Sequence, residues 1–151
     1  MLCMVFSAVV AASNDRYVDA RHYPDNEQGW DRFLDLEGRL ERDFDYICGD
    51  TFCEGEYSNI QSLRFRCSVE RLSGIMGECI WTFAGSYEEI DPDNGRVQVD
   101  APTWQCRAPL RPGTSIERFY AALNGSRPMD TIDATLPGTT QSIYDGLADC
   151  L

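Results

Sequence analysis

Three segments of alternating residues constrain this chain more than anything else in it: "LRFRCSV" at 63–69, "CIWTFAG" at 79–85 and "TWQCRAP" at 103–109. Side chains alternate across a strand, so each segment puts every second residue on one face. Leu63, Phe65, Cys67 and Val69 share the first face, with Arg64, Arg66 and Ser68 opposite. Cys79, Trp81 and Phe83 share the second, and Trp104, Cys106 and Ala108 the third. The turns then set the register. A three-residue loop, Leu72-Ser73-Gly74, with Gly74 supplying a positive φ, places Cys67 opposite Cys79 and Phe65 opposite Trp81. "DPDNG" at 91–95 is a turn in which Pro92 fixes φ and Gly95 closes. A four-residue loop there places Phe83 opposite Trp104 and Trp81 opposite Cys106. Two independent turns thus gather three cysteines and four aromatics, Phe65, Trp81, Phe83 and Trp104, on one buried face.

Helical patterns flank the strands. Trp30, Phe33, Leu34, Leu40, Phe44 and Ile47 recur at helical spacing, with Asp31, Asp35, Arg39, Glu41 and Arg42 turned outward. Asp35 and Arg39 form an i,i+4 pair, and the helix is expected to run to about Tyr46 with Gly49 as its stop. "TSIERFYAALNG" offers Thr114 and Glu117 as a capping box and Gly125 as a stop. In "TTQSIYDGLADCL", Ile143, Leu147, Cys150 and Leu151 fall on one side. The fold expected is α+β: an N-terminal helix, a three- to four-stranded antiparallel meander sheet, and two C-terminal helices packed on one sheet face. It occupies 29–151 as a single domain, behind a polar, flexible lead-in at 13–28 that contains "HYPDNEQ".

The segment Leu2–Ala12, "LCMVFSAVVAA", is apolar and uncharged but shorter than the about 20 residues a membrane span needs. Val10 and Ala12 are small residues placed for cleavage after Ala12, so residues 1–12 are expected to be a signal peptide, one truncated at its start since no cation precedes Arg16. A buried N-terminal strand is the alternative. Losing Cys3 with that segment leaves Cys48, Cys53, Cys67, Cys79, Cys106 and Cys150, an even set suited to disulfides in a periplasmic or secreted protein. The pairs expected are Cys48–Cys53, Cys67–Cys79 and Cys106–Cys150. The middle pair is the most open, because Cys106 lies near Cys79 on the same face.

No lysine occurs; all 13 cations are arginine, against 25 acidic residues and a net charge of −12. That balance excludes ordinary nucleic-acid binding and favours a basic protein partner. Chemistry finds few parts. Cys48-Gly-Asp-Thr-Phe-Cys53 has four residues between its thiols, not two, and follows a helix C-terminus whose dipole disfavours a thiolate. Zinc would need about four ligands, and His22 is the single histidine. Counting from Asp91, Arg96 and Pro102 stand where a calcium loop wants glycine and glutamate. No spacing selects a catalytic pair among Asp50, Glu54, Glu56, Glu88 and Glu89. No catalytic residue, metal site or cofactor is therefore assigned, and no membrane insertion is expected once the signal is removed. What remains is surface: "EGEYSN" and "GSYEEIDPDNG" join tyrosines to carboxylates on loops, making Glu54, Glu56, Tyr57, Tyr87, Glu88 and Glu89 the candidate partner contacts.

In its cysteine segments "CGDTFCEG…LRFRC…CIWTFAGS", its signal-like start and its acidity, the chain resembles small exported, disulfide-stapled immunity proteins of Gram-negative bacteria. The resemblance implies tight binding that plugs the active-site cleft of a secreted antibacterial effector, a wall-degrading enzyme being a sensible target. A secreted or host-targeted protein without enzymatic activity is the alternative expectation, and a small carboxylate-dependent hydrolase a further one.

Overall fold

The structure, a computed structural model, describes residues 15–151; the expected signal segment 1–12 lies outside them. The fold is α+β, with a four-stranded antiparallel sheet, three α-helices and three disulfides. Strand β1 (Tyr17–Asp19) leads through a 3-10 turn (Ala20–His22) into helix α1 (Glu27–Cys48). Strands β2 (Gln61–Glu70), β3 (Met76–Ala84), β4 (Tyr87–Ile90), β5 (Val97–Asp100) and β6 (Thr103–Arg107) follow. Helices α2 (Ile116–Ala122) and α3 (Ile143–Ala148) close the chain. The sheet order is β1-β2-β3-β6, while among the described residues β4 and β5 pair only with each other.

From Tyr17 onward, the segment expected to be a flexible lead-in is part of the fold. β1 pairs with β2, Val18 facing Val69, and Ala20 is fully buried. The Asn26 side chain then accepts the Gly29 N–H at 2.9 Å and caps α1. Along α1, Phe33, Leu36, Leu40, Phe44 and Ile47 form the buried stripe. Leu36 takes the place expected for Leu34, which is 39% exposed. Phe33 stacks on Phe65, and Phe44 meets Trp81 and Phe83 with ring centroids 5.8 and 4.7 Å apart. The helix thus covers the aromatic face of β2 and β3.

Both expected registers are present, Cys67 facing Cys79 and Phe83 facing Trp104. The first is reached by another route. Glu70 N–H bonds to Ile75 O at 2.8 Å, so four residues, not three, form the loop, with Gly74 at φ +70°. Between the Val69–Met76 and Cys67–Cys79 pairs β3 carries one extra residue, a bulge that restores the expected pairing. Ser68 Oγ accepts the Glu78 N–H there, and a Cβ on Gly77 would collide with that oxygen. A second bulge, in β2, lies between the Arg64–Thr82 and Ser62–Phe83 pairs. It extrudes Leu63, which is 53% exposed despite its expected place inside. Ser62 instead accepts the indole N–H of buried Trp81 at 2.9 Å. A buried indole needs an acceptor, and the bulge brings one.

The expected Thr114–Glu117 capping box is absent. Thr114 is buried and donates to Arg111 O at 2.6 Å, so Ser115 caps α2 one residue later and Glu117 pairs with Arg32. The capping box in this part of the chain is Ser142–Asp145, at the start of α3. Arg39 keeps its Asp35 partner but is not turned outward: it donates to Leu123 O and Gly125 O at the end of α2. Asp43, on the buried stripe, accepts the backbone N–H groups of Thr131 and Ile132 at 3.1 and 3.0 Å. It anchors a connecting segment whose Ile132 and Leu136 belong to the core.

The bonds Cys48–Cys53, Cys67–Cys79 and Cys106–Cys150 are those expected. Three disulfides suggest an oxidising compartment. Among the described residues no helix is long and apolar enough to cross a membrane.

Candidate functional site: an acidic, aromatic surface at the sheet end

The Cys48–Cys53 staple follows α1 directly. Gly49 caps the helix in an ordinary right-handed conformation, so no left-handed glycine turns the chain. Cys53 N–H returns to Cys48 O at 2.7 Å, and the Thr51 hydroxyl donates to Ile47 O at the same distance. Phe52, inside the staple, stacks on Phe44 and tilts against Tyr144. The loop that follows is therefore anchored at its root, with Glu54 and Glu56 exposed and Tyr57 half-buried.

Strands β4 and β5 carry the other expected contacts. Tyr87 faces Asp100, Glu88 faces Val99, Glu89 faces Gln98 and Ile90 faces Val97. The pairing of β3 with β6 ends at Ala84–Thr103, so the ribbon continues their register with no residue gained or lost. It is a separate sheet because Pro102, lacking an N–H, interrupts the ladder at the junction. Gly85 donates to Pro102 O at 3.2 Å, and a Cβ at Gly85 would press on Trp104 and Ile60 at 3.3–3.4 Å. At the tip, the Asp91 carboxylate accepts from Asp93 N and from the backbone and side-chain nitrogens of Asn94. Gly95, at φ +71°, closes the turn onto Asp91 O. The Asp91 oxygens that a calcium ion would claim are engaged in holding the turn.

The staple loop and the ribbon meet. Tyr57 packs edge-on against Trp104, with ring centroids 5.2 Å apart, and donates its hydroxyl to Asp100 at 2.5 Å. That hydrogen bond pushes the Tyr57 pKa up to about 12, since ionising the phenol would break it beside a carboxylate. Asn59 adds a reciprocal pair with Ser86: its side chain donates to the hydroxyl and accepts the backbone N–H, both at 2.8 Å. Asp100 and Trp104 therefore join two segments that sequence reasoning could name only separately. Alternation divides the ribbon contacts. Tyr87 and Glu89 share a face with Gln98 and Asp100, which also holds Tyr57, whereas Glu88 lies on the other face with Ile90, Val97 and Val99.

A concavity of about 320 Å³ lies elsewhere, beside Arg39, Arg42, Asp43 and Arg127. Asp43 is spent on two backbone N–H groups, Arg39 on two carbonyls and Arg127 on Asp130, so much of its polar lining serves the fold. Among the described residues no three His, Cys, Asp or Glu side chains are grouped to hold a metal ion. No family model matches the chain, and no curated protein or solved structure gives a significant match.

Proposed function

We propose that this chain is an exported inhibitor of the immunity type, which binds a basic antibacterial effector and covers its active-site cleft. One observation carries the reading. The two acidic, tyrosine-bearing segments, remote in sequence, are fastened together at Asp100 and held rigid, one by the staple and the other by its tip turn. Preorganised aromatic and carboxylate groups cost little ordering entropy on binding, and their charge steers a cationic partner. A net charge of −12 with no lysine extends that steering over the whole molecule. The export part of the reading draws on the three disulfides and the apolar N-terminal segment.

The test is protection. Cells that express the product of the adjacent gene in the periplasm are expected to survive when this protein is exported with it, and the purified pair to form a 1:1 complex. Charge reversal at Glu54, Glu56 or Glu89 should lower the association rate and make it less salt-dependent. Failure to protect, together with no complex between the purified proteins, sinks the reading.

A further inference from the structure

The ribbon β4–β5 is the one pair of strands in the described chain whose residues are all exposed on both faces. Its two faces differ in chemistry. One presents Tyr87, Glu89, Gln98 and Asp100; the other presents Ile90 at 61%, Val97 at 59% and Val99 at 63% exposure, beside Glu88. Ile90 and Val97 are directly opposed and Val99 is the next residue along that face, so the three form one continuous patch. A two-stranded ribbon is marginal in water by itself, and exposed β-branched residues on an uncovered strand pair invite association. Here the ribbon is held by its tip turn and by the Tyr57–Asp100 and Asn59–Ser86 bonds at its base. All the base bonds lie at or beyond the Tyr87–Asp100 pair, which leaves the apolar patch free.

Resting on the binding reading above, we infer that the ribbon itself is the inserting element, and that it enters a partner cleft with one basic wall and one apolar wall. Charge decides the occupant. Residues 87–100 hold five carboxylates, Glu88, Glu89, Asp91, Asp93 and Asp100, against the single cation Arg96. A second copy of this chain would bring like charge to like, whereas a cationic cleft would neutralise it. The Tyr87/Glu89 face meets the basic wall, and Ile90, Val97 and Val99 cover the apolar one.

The purified product of the adjacent gene is the probe, and Ile90→Ser/Val97→Ser is the principal variant. A second variant replaces residues 87–100 by Asn-Gly, a two-residue hairpin turn; the melting temperatures of both report on the body. The expected result is a loss of affinity of about 100-fold or more for the double substitution, the effect of uncovering two apolar side chains. Loss of measurable binding by the shortened chain, and slowed amide exchange across 87–100 in the wild-type complex, complete it. If wild type binds but both variants bind equally well and the ribbon gains no protection, the insertion is wrong while the inhibitor reading stands. If no form binds or protects, both fall. If wild type alone dimerises with concentration and Ile90→Ser/Val97→Ser abolishes the dimer, the ribbon's occupant is a second copy and the inference is overturned.

Discussion

In the inner half of the long hairpin, Phe83 and Cys106 are at most 2% exposed; in the outer half, Ile90, Val97 and Val99 are each about 60% exposed. The two halves share one register and one alternation, but the apolar side chains of the outer half lie on the face opposite the one that carries Trp81 and Phe83. The difference is cover. α1 lays Phe44 over Trp81 and Phe83, and the final cysteine bonds Cys106, but no element of the described chain lies over Ile90 and Val97. Alternation therefore assigns faces, and burial depends on what the rest of the chain brings to them.

Four measurements bear on that contrast. The widest gap is expected between Phe83→Ala, which should cost about 3–5 kcal/mol in denaturant unfolding, and Ile90→Ala, which should stay within about 0.5 kcal/mol. A costly Ile90→Ala would mean that the ribbon packs against the body after all. Replacing Cys67 and Cys79 by serine comes next, at about 3 kcal/mol for the loop that bond closes; the penalty should vanish when wild type and variant are compared after full reduction. Asp43→Ala should cost about 2 kcal/mol, since it strands two buried backbone N–H groups. Amide exchange would then report faster opening around Thr131 and Ile132 and not in the ribbon. The smallest global effect belongs to Tyr57→Phe. Its melting temperature should barely change, while exchange across 87–100 quickens.

Titration gives the last substitution a sign. The Tyr57 pKa is raised from 10.0 to about 12, so the tether to Asp100 is fully present below pH 10 and is lost as pH rises through about 12. Tyr120, whose pKa burial pushes to about 12, is a second late-titrating tyrosine. Tyrosinate absorbance should therefore show two late phenols in wild type and one in Tyr57→Phe.

Much of the body was legible from residues 63–109, because two turns and the alternation independently required the same face. Among the disulfide pairs, Cys67–Cys79 agreed with that register but competed there with Cys106, while Cys48–Cys53 rested on its place at the helix end and Cys106–Cys150 on the inward side of the final helix. Less legible was whatever depended on polar side chains turned inward. Asp43 sits at helical spacing from Leu40 and Ile47, and that position on the apolar stripe was a usable signal; an acidic residue there simply reads as surface until its backbone partners are seen. Arg39 has the same history, its long stem lying half-buried while its head caps another helix. Leu63 misled because a bulge obeys the needs of Trp81 and not the local alternation. Of the candidate contacts, the residues were visible in sequence, but their junction at Asp100 was not, since a tyrosine–carboxylate bond spanning 43 positions leaves no local pattern.

The two bulges in β2 and β3 have opposite sense. They displace the block from Arg64 to Cys67 by one place relative to the pairs on either side, Ser62–Phe83 and Val69–Met76. A hairpin that zipped up from its loop without the bulge in β3 would leave Cys67 beside the wrong neighbour. Only the displaced alignment sets the two sulfurs face to face, so oxidation here acts as a proofreader: it makes permanent the one strand alignment that the loop alone does not dictate.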